Sequence, residues 1–491
     1  MTIGANIIPL FVAVPLAGAF LISLFGKKRK WLPDVLGVLP CLILSCLSLI
    51  SLYIFNQQGA LSYSMGGWKA PVGIEMVLDG LTAFMLVTVN VVAFCIALYS
   101  IDYMKKFTAK WKFYTLFLLM LGGMNGVIIT GDLFNLFVFL EIAAVASYAL
   151  VAFGTERHEL EAAFKYAIMG TVGSLFVLLA IAFLYSYTST LNMADMAAVL
   201  TQKGMEGLAV MVSVMFIMGF GLKAAVVPFH AWLADAHPSA PAPISAMLSG
   251  VLIKTLGVYA LCRIFYTVIG VDPKISSALL FLGTLSMVVG GLLALGQWDL
   301  KRLMAYSSIS QIGYIILGIS LGTPLGILGG LFHLFNHSVF KSLLFLNSGA
   351  IEYATGTRDL QKMGGLAKAM PTTATTGMTG AMSIAGIPPF SGFWSKLLII
   401  MAAVQAEKYS YAFWAVLVSI LTLGMYLKAV RYAFFGNLKA SIRKINRVPV
   451  FMKLSMIILA LICLLGGVLL LPGVQSVFLE PAQQVLLKGI R

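Results

Sequence analysis

Fourteen long apolar runs decide what this 491-residue chain can fold into. They lie at about 4–25, 33–55, 77–100, 113–130, 133–153, 161–186, 207–233, 245–268, 275–296, 303–321, 324–350, 372–403, 410–435 and 452–474. A helix needs roughly 20 mostly apolar residues to cross a bilayer. Inside the bilayer only structures that close their own backbone hydrogen bonds persist. The pattern predicts an all-α polytopic membrane protein with about 14 transmembrane helices. Runs 11 and 12 are too long for straight helices and are expected to tilt or break. Charged residues make up 10% of the chain, against about 25% in soluble domains. That excludes a soluble globular domain, and the apolar content excludes disorder. No basic stretch precedes the first run, so it reads as a retained span and not a cleaved signal.

The net charge of +15 does not point to nucleic acid, because the basic residues sit in short loops where they set topology. One set of alternate loops holds Lys27, Lys28, Arg29, Lys30, Lys105, Lys106, Lys110, Lys112, Arg157, Lys165, Lys301, Arg302, Arg358, Lys362, Lys368, Lys439, Arg443, Lys444, Arg447 and Lys453. The opposite set and the tail hold Lys69, Lys203, Lys274, Lys408, Lys488 and Arg491. The positive-inside rule places the rich set in the cytoplasm, so an even number of spans leaves both termini outside. The tail from Gln475 is expected to be an interfacial segment. Cys41, Cys46, Cys95, Cys262 and Cys463 all fall in apolar runs without a CxxC pair. Disulfides, thiolate metal sites and iron–sulfur clusters therefore lack support. No phosphate loop or dinucleotide fingerprint is present, so no cofactor is expected.

Several charges fall where they are expensive. A charge at the bilayer centre costs about 2.5–3.5 kcal/mol on insertion scales, so such residues pair, hydrate or titrate. Glu141 lies in FNLFVFLEIAAVASYAL, near the middle of span 5. It reads as a titrating carboxylate coupled to a lysine, or as a structural ion pair. Lys223, Lys254 and Lys396 lie inside spans 7, 8 and 12. Each is a candidate proton carrier, or a partner for the carbonyls of a broken helix. His333, His337 and Lys341 follow at i, i+4 and i+8 in span 11, with Asn336 close by, and share one helical face. They suit a proton relay or a polar helix contact. A zinc site would need a third ligand that the pattern does not supply. His230 could extend the relay, whereas His158 and His237 fall at loop positions where a solvated histidine is expected. Arg263, Lys428 and Arg431 lie close enough to span ends to snorkel. Asp79, Asp132 and Asp235 also lie near span ends, and Asp132 is placed to cap span 5.

Pro228 in span 7 and Pro388 with Pro389 in span 12 break their helices, and such breaks are tolerated where freed backbone lines a polar cavity. The sequences PFHAW and PFSGFW around them match at an offset of five spans. Glu141…Tyr148 aligns with Ser307…Tyr314, and Phe164-Lys165 with Phe340-Lys341. An odd-numbered repeat is inverted in the membrane. The chain then divides into 1–112, a three-helix region; 113–270, a first five-helix repeat; 271–436, its inverted copy; and 437–491, helix 14 and tail.

The segment KAAVVPFHAWLADAHPSAPAPISAMLSGVLIKTLG, from Lys223 to Gly257, resembles the signature of the antiporter-like subunits shared by respiratory complex I, membrane-bound hydrogenases and Mrp-type cation/proton antiporters. Chain length, an end soon after span 14 and Lys396 in span 12 bring it nearest to the D-type subunits of the Mrp antiporters. The resemblance implies a Glu141–Lys223 pair connecting through Lys254, the span 11 histidines and water to Lys396. It further implies a transporter subunit without its own redox centre, in a bacterial cell membrane. Its partners would be other membrane subunits, and its ions H⁺ with Na⁺ or K⁺. A homologous subunit of a redox-driven complex is the alternative; a self-sufficient transporter or a scaffold fits the row of buried charges less well.

Overall fold

In a computed structural model, residues 4–204, 207–439, 442 and 445–490 are described. Arg443, Lys444 and Arg491 of the loop-charge count lie outside them. The chain runs α1 (Leu10–Phe25), α2 (Leu32–Gln58), a hairpin of β1 (Leu61–Ser64) and β2 (Glu75–Leu78), α3 (Gly80–Tyr103), α4 (Lys110–Ile129), α5 (Leu133–Val151) and α6 (Arg157–Thr188). It continues with α7 (Met193–Lys203), α8 (Leu208–Ala224), α9 (Ala231–Ser239), α10 (Ala242–Ile269), α11 (Pro273–Leu295), α12 (Leu300–Ser320) and α13 (Pro324–Thr355). The last part is α14 (Pro371–Ala385), α15 (Ser391–Gln405), α16 (Tyr409–Phe434), α17 (Val450–Leu465), α18 (Pro472–Phe478) and α19 (Glu480–Leu487).

Every predicted run falls on a helix. Eleven helices among the described residues are long and apolar enough to cross a membrane. The remaining three runs differ for physical reasons. Runs 7 and 12 are split by their prolines into α8/α9 and α14/α15. Run 11, expected to tilt or break, does not break: α13 is one continuous 32-residue helix. Its histidines, asparagines and lysine lower its hydropathy without interrupting its backbone. The hairpin and the amphipathic α7 were not foreseen. β1 pairs antiparallel with β2 from Leu61 opposite Leu78 to Ser64 opposite Glu75.

Burial orders the bundle. α10 is buried but for Thr267 near its end, and α3 and α12 nearly so, while α1, α2, α6, α16 and α17 turn leucine, isoleucine and phenylalanine outward. Such apolar outer faces are what a lipid environment accepts. The tail helices α18 and α19 bury Phe478, Leu479, Ala482 and Leu486 against the ends of α3 and α10.

Two stretches share the same local build. Asp132 caps α5 by accepting from the Asn135 amide, and Asp299 caps α12 by accepting from that of Arg302. Asp132 is bridged to Asn192, and Asp299 to Asp359. Thr188 and Thr355, ending α6 and α13, bond back to Leu184 and Ile351 at 2.8 Å each. α6 and α13 are both 32 residues long. A methyl on Gly123 would strike Phe139 and Ala143; one on Gly290 would strike Tyr306 and Ser310. All these pairs keep the Asp132-to-Asp299 offset. That register sets Glu141 opposite Ser308, one residue from the expected Ser307, and Ser174 opposite Lys341. The expected match of Lys165 with Lys341 fails: Lys165 is exposed and paired with Glu161 and Asp235, whereas Lys341 is fully buried.

Candidate proton pathway

The breaks position the first charges. α8 ends at Ala225 with φ of 56°, and α14 at Gly386 with φ of 80°. In each the next amide reaches back to the helix: Val226 to the Gly221 carbonyl at 2.9 Å, Ile387 to that of Met382 at 3.1 Å. The Leu222 carbonyl accepts from the Ala225 amide at 3.2 Å and from Trp232 Nε1 at 3.0 Å, and the Val227 amide bonds to Ser286 at 2.9 Å. The interrupted backbone is therefore satisfied inside protein, as a membrane interior demands.

Lys223, in the last turn before the first break, brings Nζ to 3.5 Å from Glu141 Oε1 and 3.4 Å from the Tyr148 hydroxyl. Glu141 also accepts from Ser174 on α6. The lysine is buried, while the Glu141 side chain keeps 30% of its exposure. It lies on the outward stripe of α5 with Phe134, Val138 and Val145.

Lys254 is fully buried in α10, where Leu248–Leu252 and Lys254–Tyr259 are π-helical. Its ammonium bonds back to the carbonyls of Ser249 and, at 2.6 Å, Gly250. On α13, His333 joins Ser395 at 2.9 Å and Gln311 at 3.1 Å. His337 carries two ring nitrogens without a hydrogen-bond partner, and its ring stacks on His333 at 6.4 Å. Lys341 donates to the Met304 carbonyl at 2.7 Å, to Ser307, and to Tyr426 at 3.1 Å. Lys396, on α15 beyond the second break, is buried 3.4 Å from Ser419 and over the Tyr314 ring at 5.0 Å. Asn336 donates to the Ser391 carbonyl at 3.1 Å. His230 stands half-buried at the start of α9, beside Pro228, with Nδ1 unpartnered. No cluster of three His, Cys, Asp or Glu residues suited to a metal occurs among the described residues.

Several expectations change. His237 is fully buried between Trp232 and Phe345, with both ring nitrogens unpartnered; it is not a solvated loop histidine. Lys301, counted among loop charges, is buried and donates to the Ala240 carbonyl at 2.8 Å, with Glu352 at 3.8 Å. Arg263 does not snorkel. It forms a two-point ion pair with Asp79, at 2.6 and 3.0 Å, and also bonds Thr82 and Tyr259. Spacing alone carries no sign of this, because α3 and α10 meet only through tertiary packing. Asp132 caps α5 as expected; burial raises its carboxyl above the ordinary value of 3.8, against the backbone amides that pull it down.

Residues 130–422 match the family model described as NADH:quinone oxidoreductase/Mrp antiporter, TM, and residues 64–114 match that of NADH-Ubiquinone oxidoreductase (complex I), chain 5 N-terminus. The D-type subunit of the Na(+)/H(+) antiporter of Alkalihalophilus pseudofirmus is 36% identical over 90% of this chain and 89% of its own. The N-type subunit of the NADH-quinone oxidoreductase of Desulforudis audaxviator is 37% identical over 77% of this chain and 76% of its own. A chain of the Mrp complex of Dietzia sp. superposes with a TM-score of 0.90 at 29% identity, over 99% of this chain and 98% of the other. A chain of an archaeal membrane-bound sulfane sulfur reductase gives 0.89 at 32%, over 98% of each. The chain belongs to the NADH:quinone oxidoreductase/Mrp antiporter transmembrane family. It is a multi-pass membrane protein of the antiporter-subunit type.

Proposed function

We propose that this chain moves protons along a buried Glu–Lys–His path as one membrane subunit of a multi-subunit Na⁺(cation)/H⁺ antiporter. The observation that carries the reading is the Glu141–Lys223 contact at the first helix break, within one bundle that also buries Lys254, His337, Lys341, His333 and Lys396. Buried ionisable groups in a membrane interior mark ion pathways by default. The Glu141–Lys223 pair opens and closes, and its electrostatic state sets the proton load of Lys254. Protons reach the α8/α9 break from one side, pass Lys254 and the α13 histidines, and leave near Lys396 on the other. The D-type antiporter relatives and the Mrp complex neighbour support the antiporter setting.

The chain crosses a bacterial cell membrane fourteen times, with both termini outside and two inverted repeats over 113–270 and 271–436. The loop-charge asymmetry and the shared caps and glycine contacts support this arrangement. Its five cysteines, scattered through apolar helices, favour a transporter subunit without a redox centre. A redox-driven complex is the second reading, favoured by likeness to the N-type quinone oxidoreductase relative and to the sulfur reductase. Glu141→Gln, tested in everted vesicles holding the assembled complex, is expected to abolish cation-driven pH change. Intact transport in that variant would remove the pathway. Iron–sulfur proteins co-purifying with the chain would select the second reading.

A further inference from the structure

A cavity lies away from the charged row. It measures about 960 Å³ and opens on the face that carries Lys203 and Lys488, the lysine-poor side. α7, the end of α10 and the tail helix α19 wall it; Asp79, Gln202, Tyr266, Thr267, Gln484 and Lys488 line it. Asp79 at its floor holds Arg263, and Arg263 in turn donates to the Tyr259 hydroxyl at 3.0 and 3.2 Å. The Tyr259 hydroxyl donates its hydrogen bond to the Ile128 carbonyl at 2.5 Å.

The π-helical turn of α10 makes this column meaningful. In an α-helix of 3.6 residues per turn, Tyr259 would lie about 140° round from Lys254. The i→i+5 ladder of Lys254–Tyr259 turns it towards the lysine's face, and the following α turn stacks Arg263 above it. Single π turns cluster at functional sites. Tyr259 and Arg263 thus follow Lys254 along α10, and Arg263 meets the cavity through Asp79.

We propose that this cavity is a proton port through which Lys254 exchanges protons with the lysine-poor side, in addition to the route by Lys396. The proposal rests on the proton-translocating reading above. As it stands, Lys254 reaches back to the Ser249 and Gly250 carbonyls, away from the port. Swung towards its own C-terminal side, the ammonium gives a proton to the Tyr259 oxygen as one Arg263 N–H lets go of it, and the hydroxyl, turned from the Ile128 carbonyl, releases its own proton to water entering from the cavity. Lys254 becomes an amine and is reprotonated from the opposite side; inward flow reverses the steps. Arg263 keeps its proton throughout, and the two-point contact with Asp79 cancels its charge, so no unbalanced cation bars the way.

The test uses the assembled complex in vesicles. Thr267→Cys and Gln484→Cys place thiols in the cavity, and a membrane-impermeant methanethiosulfonate ammonium reagent fills it. The native cysteines are buried apart from Cys46 on the outer face of α2, so the unsubstituted chain is the control. Modification is expected to slow transport in both variants, with recovery on thiol reduction. Tyr259→Phe keeps the ring and removes the relay oxygen, and is expected to slow transport on the order of tenfold or more. Cysteines that stay unmodified, or modified cysteines together with a fully active Tyr259→Phe, overturn the port. Glu141→Gln in the same preparation separates the two claims. If it alone is inactive, the port fails and the pathway stands; if every variant is active, the pathway itself fails.

Discussion

The Asp79–Arg263 pair gives the sharpest test of how the bundle is held together. Two N–H···O contacts at 2.6 and 3.0 Å join α3 to α10, with side-chain exposures of 9% for the arginine and 16% for the aspartate. Breaking one side of a buried pair costs about 3–5 kcal/mol, because the remaining charge is stranded, whereas replacing both sides is often close to neutral. Asp79→Asn keeps the cap on the Thr82 amide yet strands the guanidinium deeper than the cavity, so it is expected near 5 kcal/mol. Arg263→Gln strands a carboxylate that cavity water can reach, so about 3 kcal/mol is expected. The double variant leaves two neutral groups that still hydrogen-bond and should lose about 1 kcal/mol. The measurement is the temperature at which the purified complex loses its size-exclusion peak. Because such unfolding is irreversible, the ranking is what is read. It should run wild type, double variant, Arg263→Gln, Asp79→Asn. A double variant as unstable as the two losses combined would refute a coupled buried pair.

Asp132→Asn keeps the helix cap and removes a carboxylate that burial disfavours in its charged form. A raised carboxyl contributes stability below its unfolded value and loses it as pH rises. The asparagine should therefore stabilise the complex at pH 7, by an amount that shrinks on acidification towards 3.8; thermal stability against pH reads this directly. His237→Phe deletes two unpartnered nitrogens between Trp232 and Phe345 and is expected to leave thermal stability unchanged or raised, since orphaned polar groups disfavour the fold. Gly257→Ala drives a methyl to within 2.6 Å of the Ala224 backbone, beside Lys223, and should lower stability by about 1–3 kcal/mol, seen as reduced yield of assembled complex. Asn90 and Asn125 exchange amide hydrogen bonds at 3.1 and 3.2 Å; Asn90→Leu should cost about 1–3 kcal/mol by stranding its partner, and less once Asn125→Leu is added.

The sequence made legible what rests on hydropathy and on proline. The helices follow from the apolar runs and the two breaks from the prolines inside them, whereas the pairing of Glu141 with Lys223 came from the family resemblance and not from the pattern of residues. Contacts that depend on which helix packs against which were not legible. Arg263 sits near a span end, and the snorkelling rule assumes that such an end meets water; here the tail and α3 close it off. His237 and Lys301 look like loop residues, but His237 lies in α9 between Trp232 and Phe345, and Lys301 is buried at the Ala240 carbonyl of the loop after α9. The inner register of the two similar halves is off by one residue at Ser307, because a Ser-Ser pair offers no choice between neighbours. The caps Asp132 and Asp299, with the Thr-x-Thr turns after α6 and α13, carry the signal that fixes it.

α13, expected to tilt or break, runs without a break. At 1.5 Å per residue its 32 residues span about 48 Å, well beyond the roughly 30 Å of a hydrocarbon core. The same rod bears His333, His337 and Lys341 in its middle and Glu352, beside Lys301 and Arg358, in its last turn. A helix with no hinge cannot absorb a push. A change of charge among Glu352, Lys301 and Arg358 at the lysine-rich rim would be felt as a shift of the whole shaft. His333 would slide against Ser395 and Gln311, and the proton path proposed above would be retuned from a point several turns away.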